Sequence, residues 1–244
     1  MRRVGGEIGG GGNGTRPRHP PRQSPWLWPA NRAFGGGLSY LALRMRRSGQ
    51  EHIPPDGPVL IVCNHVAFID PLVLATAALP RRSWMMGKEE LFRSAALASW
   101  MTRSGGFPVR RASPDLWAVR TSRDLLARGE CLLMFPEGGV NRGGRLRPGF
   151  SGAGYLALRP GVTVIPAVVW NTQLLRGPAR VRFGPPLPMD ELRASARPGR
   201  NRRATERIME ALAGMVPLVG GPDQPAPTGK PWIPPPRGKG SIRS

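Results

Sequence analysis

An α/β fold with a largely parallel central sheet flanked by helices is predicted by three observations. Short apolar runs alternate with helical patterns along residues 50–218. The main runs are continuous rather than alternating, as in strands covered on both faces. Polar or charged residues follow the first four of these strands, where an open parallel sheet forms its ligand crevice. Strands that alternate with helices imply crossover connections, and these favour parallel pairing.

The elements follow in order. Val59–Cys63 reads as a buried strand. Residues 70–79 read as a helix, because Asp70 is a favoured N-cap and Pro71 a favoured first helical residue. Trp84-Met85-Met86 is a short strand, and residues 89–101 carry a helical pattern apolar over much of its surface. Residues 105–109 are extended. The next helix has Ser113 as N-cap, Pro114 first, Asp115 in its first turn and Gly129 just past its end. Its apolar face comprises Ala118, Val119, Leu125 and Leu126. Residues 131–135 form a fully buried strand, followed by a Gly/Arg-rich loop over 138–149 and a helix over 152–158. Residues 162–169 and 179–183 are two more strands. A last helix over 204–216 aligns Ile208, Leu212 and Met215 and stops at Pro217.

The 244 residues suit one domain. Glycine (33) and proline (29) are abundant. They concentrate in residues 1–35 and 219–244, which lack periodicity and are expected to be disordered tails. Residues 36–49 are a candidate membrane-interface segment. Trp26, Trp28 and the apolar residues from Phe34 to Met45 lead into Arg44, Arg46 and Arg47, a pattern suited to headgroup depth. A helix packed on the core is the other reading of that segment. Residues 50–218 are the folded domain.

Net charge is +21. Residues 1–47 carry nine Arg against one Glu, and residues 48–218 carry 23 basic against 13 acidic residues. The domain is therefore basic in its own right, which favours nucleic acid, anionic headgroups or phosphorylated substrates. Cys63 and Cys131 sit inside apolar runs and read as reduced core residues, consistent with a cytoplasmic location. Neither has partners at metal-ligand spacing, so no metal is expected. No apolar run approaches the roughly 18–20 residues needed to span a bilayer.

The first strand ends in Asn64-His65, with Asp70 five residues past the histidine. On one helix these two would point about 140° apart. Pro71, however, pushes Asp70 out of the helical region and starts a helix there. His65 then sits in the preceding turn, where a carboxylate can reach its ring. That pairs a base with an orienting acid. The alternative is that Asp70 only caps the helix and His65 only fills a loop. His19 and His52, the other two histidines, lie in Pro-rich or turn-like stretches. Beyond His65, the strand ends carry Lys88, Arg110 with Arg111, and Glu137, so a base, three cations and a carboxylate converge on one crevice.

Over residues 50–190 these blocks resemble the 1-acylglycerol-3-phosphate acyltransferases and their glycerolipid acyltransferase relatives. Asn64-His65 with Asp70 looks like the first block, in which the histidine is the catalytic base and the aspartate its partner. Gly87-Lys88-Glu89-Glu90-Leu91-Phe92 resembles the lysine-containing segment. Gly106-Phe107-Pro108-Val109-Arg110-Arg111 is similar to the second block, whose arginine contacts the acceptor phosphate; by register that is Arg111. Phe135-Pro136-Glu137-Gly138 looks like the third, assigned to acceptor binding, and Val164-Ile165-Pro166-Ala167 like the fourth. Gly139-Val140-Asn141 stand where Thr-Arg-Ser is usual, with Arg142 and Arg145 nearby.

The resemblance implies acyl transfer from acyl-CoA or acyl carrier protein to a lysophospholipid hydroxyl. The first expected acceptor is 1-acyl-sn-glycerol 3-phosphate; glycerol 3-phosphate or another lysolipid is the alternative. His65 and Asp70 would be catalytic, and Arg111, Glu137, Gly138, Lys88 and Asn64 would bind substrate. No cofactor is needed. The protein would sit on the anionic inner face of the membrane. The rival from another class is a basic nucleic-acid-binding protein, although no helix-turn-helix, zinc-finger or aromatic RNA-binding signature is present. A lipid enzyme predicts charge focused at the crevice and the N-terminal segment; a nucleic-acid binder predicts a wide basic stripe.

Overall fold

The computed structural model describes residues 43–110, 115–173 and 178–221, together with Ala33, Gly37 and Leu41. The expected disordered tails fall almost wholly outside these residues, as do Trp26, Trp28 and Arg111. The strands are β1 (Arg46–Ser48), β2 (Val59–Cys63), β3 (Ser83–Lys88), β4 (Gly106–Val109), β5 (Cys131–Met134), β6 (Thr163–Trp170) and β7 (Arg180–Phe183). The α-helices are α1 (Asp70–Ala77), α2 (Ala95–Arg103), α3 (Leu116–Ala127), α4 (Ser151–Ala157), α5 (Asp190–Ala194) and α6 (Arg200–Met215). The sheet order is β1-β7-β6-β2-β5-β3-β4. β6, β2, β5, β3 and β4 run parallel. β7 is antiparallel to β6, and β1 is parallel to β7. The predicted class therefore holds, with a reversed pair of strands at one edge.

β2 lies at the centre because its sequence suits no other place. All five of its residues are completely buried. Leu60 and Val62 join one core with α3, α4 and α6, while Val59, Ile61 and Cys63 join the other with α1. Each fully buried aliphatic side chain contributes about 1.5–3 kcal/mol. Truncating Ile61 to alanine would cost about 2–5 kcal/mol, because it also leaves a cavity.

Several boundaries differ from the sequence expectation, each for a local reason. The helical stretch over 89–101 is broken into a 3-10 turn, Glu89–Phe92, and α2. α3 is capped by Asp115 rather than Ser113: its carboxylate accepts from Ala118 N–H at 3.1 Å. Its buried residues are Ala118, Thr121, Ser122, Leu125 and Leu126, with Val119 half-buried. α6 begins at Arg200, behind Gly199 in a left-handed conformation, four residues earlier than its apolar pattern. The domain also begins earlier. Leu43 and Met45 are buried, and β1 pairs with β7. So part of the candidate interface segment packs in the sheet, and a three-residue strand was too short to show periodicity.

Candidate functional site

The end of β2 is fixed first. The Asn64 side chain donates to Val169 O (3.0 Å) and accepts from Val169 N–H (2.8 Å). This two-point clamp welds the turn after β2 to β6. It leaves Asn64 buried and facing the sheet, so it positions His65 rather than presenting its amide to substrate.

His65 follows. Its Nδ1 lies 2.8 Å from Asp70 Oδ2. The same oxygen accepts the N–H groups of Val66 (2.6 Å) and Ala67 (2.8 Å). The other carboxylate oxygen accepts from the Thr172 hydroxyl. Asp70 is the first residue of α1, behind Ile69, and Pro71 follows it. Its side chain therefore closes the preceding turn instead of capping the helix; of the two readings left open by spacing, the geometry selects the carboxylate that reaches back. An ionised carboxylate only accepts, so Nδ1 carries the proton and Nε2 keeps its lone pair. Nε2 makes no hydrogen bond among the described residues. The ring stacks on Phe135 with centroids 4.2 Å apart.

The loop after β5 supplies the other wall. Glu137 is buried, and its carboxylate points inward. Oε1 accepts from His65 N–H (3.3 Å), while Oε2 accepts from Asn141 Nδ2 (2.6 Å) and Arg147 N–H (2.9 Å). Arg147 Nε is 3.7 Å away. The side chain is 1% exposed, so it binds the loop to the His65 turn and offers no oxygen to an acceptor hydroxyl. Asn141 N–H also donates to His65 O at 2.6 Å. Gly138 has φ +75°, and a Cβ there would lie 2.4 Å from the Phe150 ring, so only glycine fits this reversal. Arg142 and Arg145, at the site of the sequence departure, are exposed.

On the far side, Lys88 ends β3 and pairs with Glu90 at 3.1 Å. Arg110 pairs with Glu89 at 3.1 Å. Arg111 lies outside the described residues. The structure thus brings Asn64, His65, Asp70, Glu137 and Gly138 into one contiguous cluster and sets Lys88 two strands away along the same sheet end. Sequence reasoning missed Thr172, Phe135, Asn141 and Arg147. Two of them carried a signal, Phe135 as the first residue of the third block and Asn141 as a departure from that block.

Burial raises both thiols: Cys131 is pushed up to about 12, and Cys63 also rises well above its ordinary value, with help from the nearby Asp70 and Glu137 carboxylates. Neither is available as a nucleophile near neutral pH. Among the described residues no group of acids, histidines and cysteines could hold a metal ion. Two clefts, about 540 and 490 Å³, open at the opposite end of the sheet.

A family model described as Acyltransferase matches residues 44–170, which contain this whole cluster except Thr172. The chain belongs to the acyltransferase family. It is 33% identical over 89 residues to the 1-acyl-sn-glycerol-3-phosphate acyltransferase of Bacillus subtilis, covering 36% of this chain and 45% of that one. It is 31% identical over 132 residues to the enzyme of the same name from Borreliella burgdorferi, covering 51% and 50%. It is 35% identical over 132 residues to the lyso-ornithine lipid O-acyltransferase of Pseudomonas aeruginosa, covering 53% and 48%. The chain thus spans about half the length of the curated relatives it matches. The crystal structure of the 1-acyl-sn-glycerophosphate acyltransferase from Thermotoga maritima superposes with a TM-score of 0.64 at 20% identity, covering 79% of this chain and 80% of that one. That likeness establishes the shared fold. No helix among the described residues of this acyltransferase-family chain is long and apolar enough to cross a membrane.

Proposed function

We propose that this protein transfers a fatty acyl group from acyl-CoA or acyl carrier protein to the free hydroxyl of a lysophospholipid. One observation carries the reading: a histidine at the carboxyl end of the central strand whose Nδ1 is held by a buried carboxylate and whose Nε2 makes no hydrogen bond among the described residues. Nε2 takes the proton of the acceptor hydroxyl as its oxygen attacks the thioester carbon. General base catalysis of this kind typically contributes about 10²–10⁴-fold. Asp70 keeps the ring in the productive tautomer and stabilises the imidazolium. The tetrahedral oxyanion then collapses, the C–S bond breaks, and His65 returns its proton to the departing thiolate. Lys88, at the end of β3, and Arg111 grip the acceptor phosphate; an arginine fork suits a phosphate's geometry. Asn64, Glu137 and Gly138 serve by fixing the turn and the loop.

The favoured acceptor is 1-acyl-sn-glycerol 3-phosphate, giving phosphatidic acid, as in the names of most relatives. The lyso-ornithine lipid enzyme supports a second reading, a phosphate-free lysolipid, together with Gly139-Val140-Asn141 where the acceptor block usually carries an arginine. The test is to incubate purified protein with acyl-CoA or acyl carrier protein and a panel of both acceptor classes, and to weigh the products by mass spectrometry. Phosphatidic acid formed by wild type and lost in His65→Ala supports the proposal. No acylated product with any acceptor overturns it.

A further inference from the structure

Attack on a thioester carbon leaves a negative charge on the former carbonyl oxygen, and a preorganised donor should meet it. The loop after β5 runs along the main chain of His65. Glu137 Oε1 accepts from His65 N–H (3.3 Å), and Asn141 N–H donates to His65 O (2.6 Å). Several N–H groups of this turn and loop are already engaged. Asp70 takes those of Val66 and Ala67, Glu137 those of His65 and Arg147, and Phe135 O that of Gly138 (3.0 Å). The N–H of Val140 makes no hydrogen bond among the described residues.

The direction of that N–H follows from Arg147. One guanidinium nitrogen, Nη2, donates to Gly139 O (2.8 Å) and to Val140 O (3.2 Å). Both carbonyls therefore point to one side of the loop, toward Arg147. A trans peptide is planar, with its N–H opposite its C=O, and these peptides are trans. The N–H groups of Val140 and Asn141 must then both point away from Arg147. That of Asn141 arrives at His65 O, so this is the His65 side. Val140 N–H lies beside it and is aimed the same way. Successive N–H groups turned to one side make a concavity that suits an anion. The buried Glu137 carboxylate would oppose an oxyanion nearby. Its oxygens, however, are taken up by His65 N–H, Asn141 Nδ2 and Arg147 N–H, and Arg147 Nε stands 3.7 Å away. Arg147 thus both aims the loop and offsets its one buried charge.

We propose that Val140 N–H donates to the oxyanion of acyl transfer and that Arg147 is the positioning residue that aims it. The inference rests on the acyl-transfer reading of His65. As the acceptor oxygen bonds to the thioester carbon, Nε2 takes the hydroxyl proton. The carbonyl π pair moves onto its oxygen, where Val140 N–H meets it. When the pair returns, the C–S bond breaks and His65 passes the proton to the departing thiolate. The donor is a main-chain group, so the side chain at position 140 carries no signal of it. Arg147 is the side chain on which it depends.

Acyl-transfer kinetics of the full chain, with thermal melts alongside, test it. Exchanging Val140 for its α-hydroxy acid turns the N–H into an ester oxygen and keeps the side chain. This should lower kcat by about 10²–10³-fold, the usual loss for one oxyanion donor, and leave both KM values near wild type, because the bond forms only in the transition state. The same exchange at Gly143 removes an N–H that bonds Asn141 Oδ1 (3.1 Å) in the same loop. It should cost stability and leave kcat near wild type. Arg147→Met keeps the length and loses the donors; it should lower kcat at unchanged KM, and Arg147→Lys should recover part. A donor analogue with C=S in place of C=O reads the contact itself, since sulfur accepts hydrogen bonds poorly. Wild type should prefer the oxygen thioester, and the Val140 ester should lose most of that preference. Unchanged kcat in the folded Val140 ester, or an undiminished preference for oxygen, would overturn the proposal. So would equal losses from the two ester exchanges, which would mean damage to the loop. A wild-type protein that acylates no acceptor would instead overturn the acyl-transfer reading, and this inference with it.

Discussion

Asp70 Oδ2 sits 2.8 Å from His65 Nδ1 and, in the same turn, within 2.8 Å of two backbone N–H groups, those of Val66 and Ala67. One oxygen thus orders both the ring and the peptide that carries it. The ring cannot turn without breaking a bond to a carboxylate that the backbone itself holds still. This is preorganisation by a shared acceptor, and it ties the chemistry of His65 to the folding of the six residues from His65 to Asp70.

The first prediction concerns that pair. His65→Ala should lower kcat by about 10²–10⁴-fold with a melting temperature near wild type. Asp70→Asn should lose comparable activity, because an amide neither stabilises an imidazolium nor accepts at both atoms. It should also lose stability, about 1–3 kcal/mol or more, since a buried acceptor is replaced by a donor facing donors. Kinetics beside urea unfolding separate the two effects. Near-wild-type turnover in folded His65→Ala would sink the mechanism.

A second prediction falls on Thr172, which is completely buried and donates to the oxygen of Asp70 that His65 leaves free. Thr172→Val keeps the shape and removes the donor. We expect kcat to fall about tenfold and KM for the acceptor to stay put, because Asp70 loses one of the partners that hold it against His65. Thr172→Ser should restore kcat. A purely structural role would move stability and leave kcat of the folded protein alone.

The sequence showed the dyad because its partners are five residues apart and Pro71 marks where the helix starts. It showed the central strands because each is an unbroken apolar run. Thr172 and the Asn64 clamp were invisible for the opposite reason. They join residues 102 and 105 positions apart, and nothing local in either segment announces the bond. Glu137 was found but its orientation was misread: a motif tells that a carboxylate is present, and only packing tells that it faces inward. β1 escaped because three residues ending an Arg-rich segment carry no period, and pairing with β7 alone makes them a strand.

The third prediction is a stability loss at alkaline pH. Burial pushes the Cys131 thiol from its ordinary 9.0 up to about 12. The folded state therefore keeps a proton that the unfolded state releases above pH 9.0, and stability must fall as pH rises. The contribution is whole below 9.0 and is spent progressively toward 12. At pH 10.5 the loss from this thiol is about 2 kcal/mol. Cys63, raised in the same direction, adds to it. Urea midpoints measured between pH 8 and 11 should show this slope, and Cys131→Ala should flatten it whatever its effect at neutral pH. An unchanged slope would remove the thiol from the account.

The last prediction separates two adjacent arginines. Arg110 directly follows β4, with its guanidinium Nε within 3.2 Å of both Glu89 oxygens. It is already neutralised, and at 61% exposure the pair is a surface one of little energetic consequence. Arg111, the next residue, is the one proposed to hold the acceptor phosphate. Arg111→Ala should raise the acceptor KM by about ten- to a hundredfold, the usual worth of a charge-assisted hydrogen bond, and leave the acyl-donor KM near wild type. Arg110→Ala should do little to either. Arg111→Lys should recover only part, because an ammonium lacks the planar fork. With a phosphate-free lysolipid as acceptor the Arg111 effect should vanish, so measuring both acceptors tests the residue and the substrate class together. Equal increases in both KM values would instead place Arg111 in the architecture of the site.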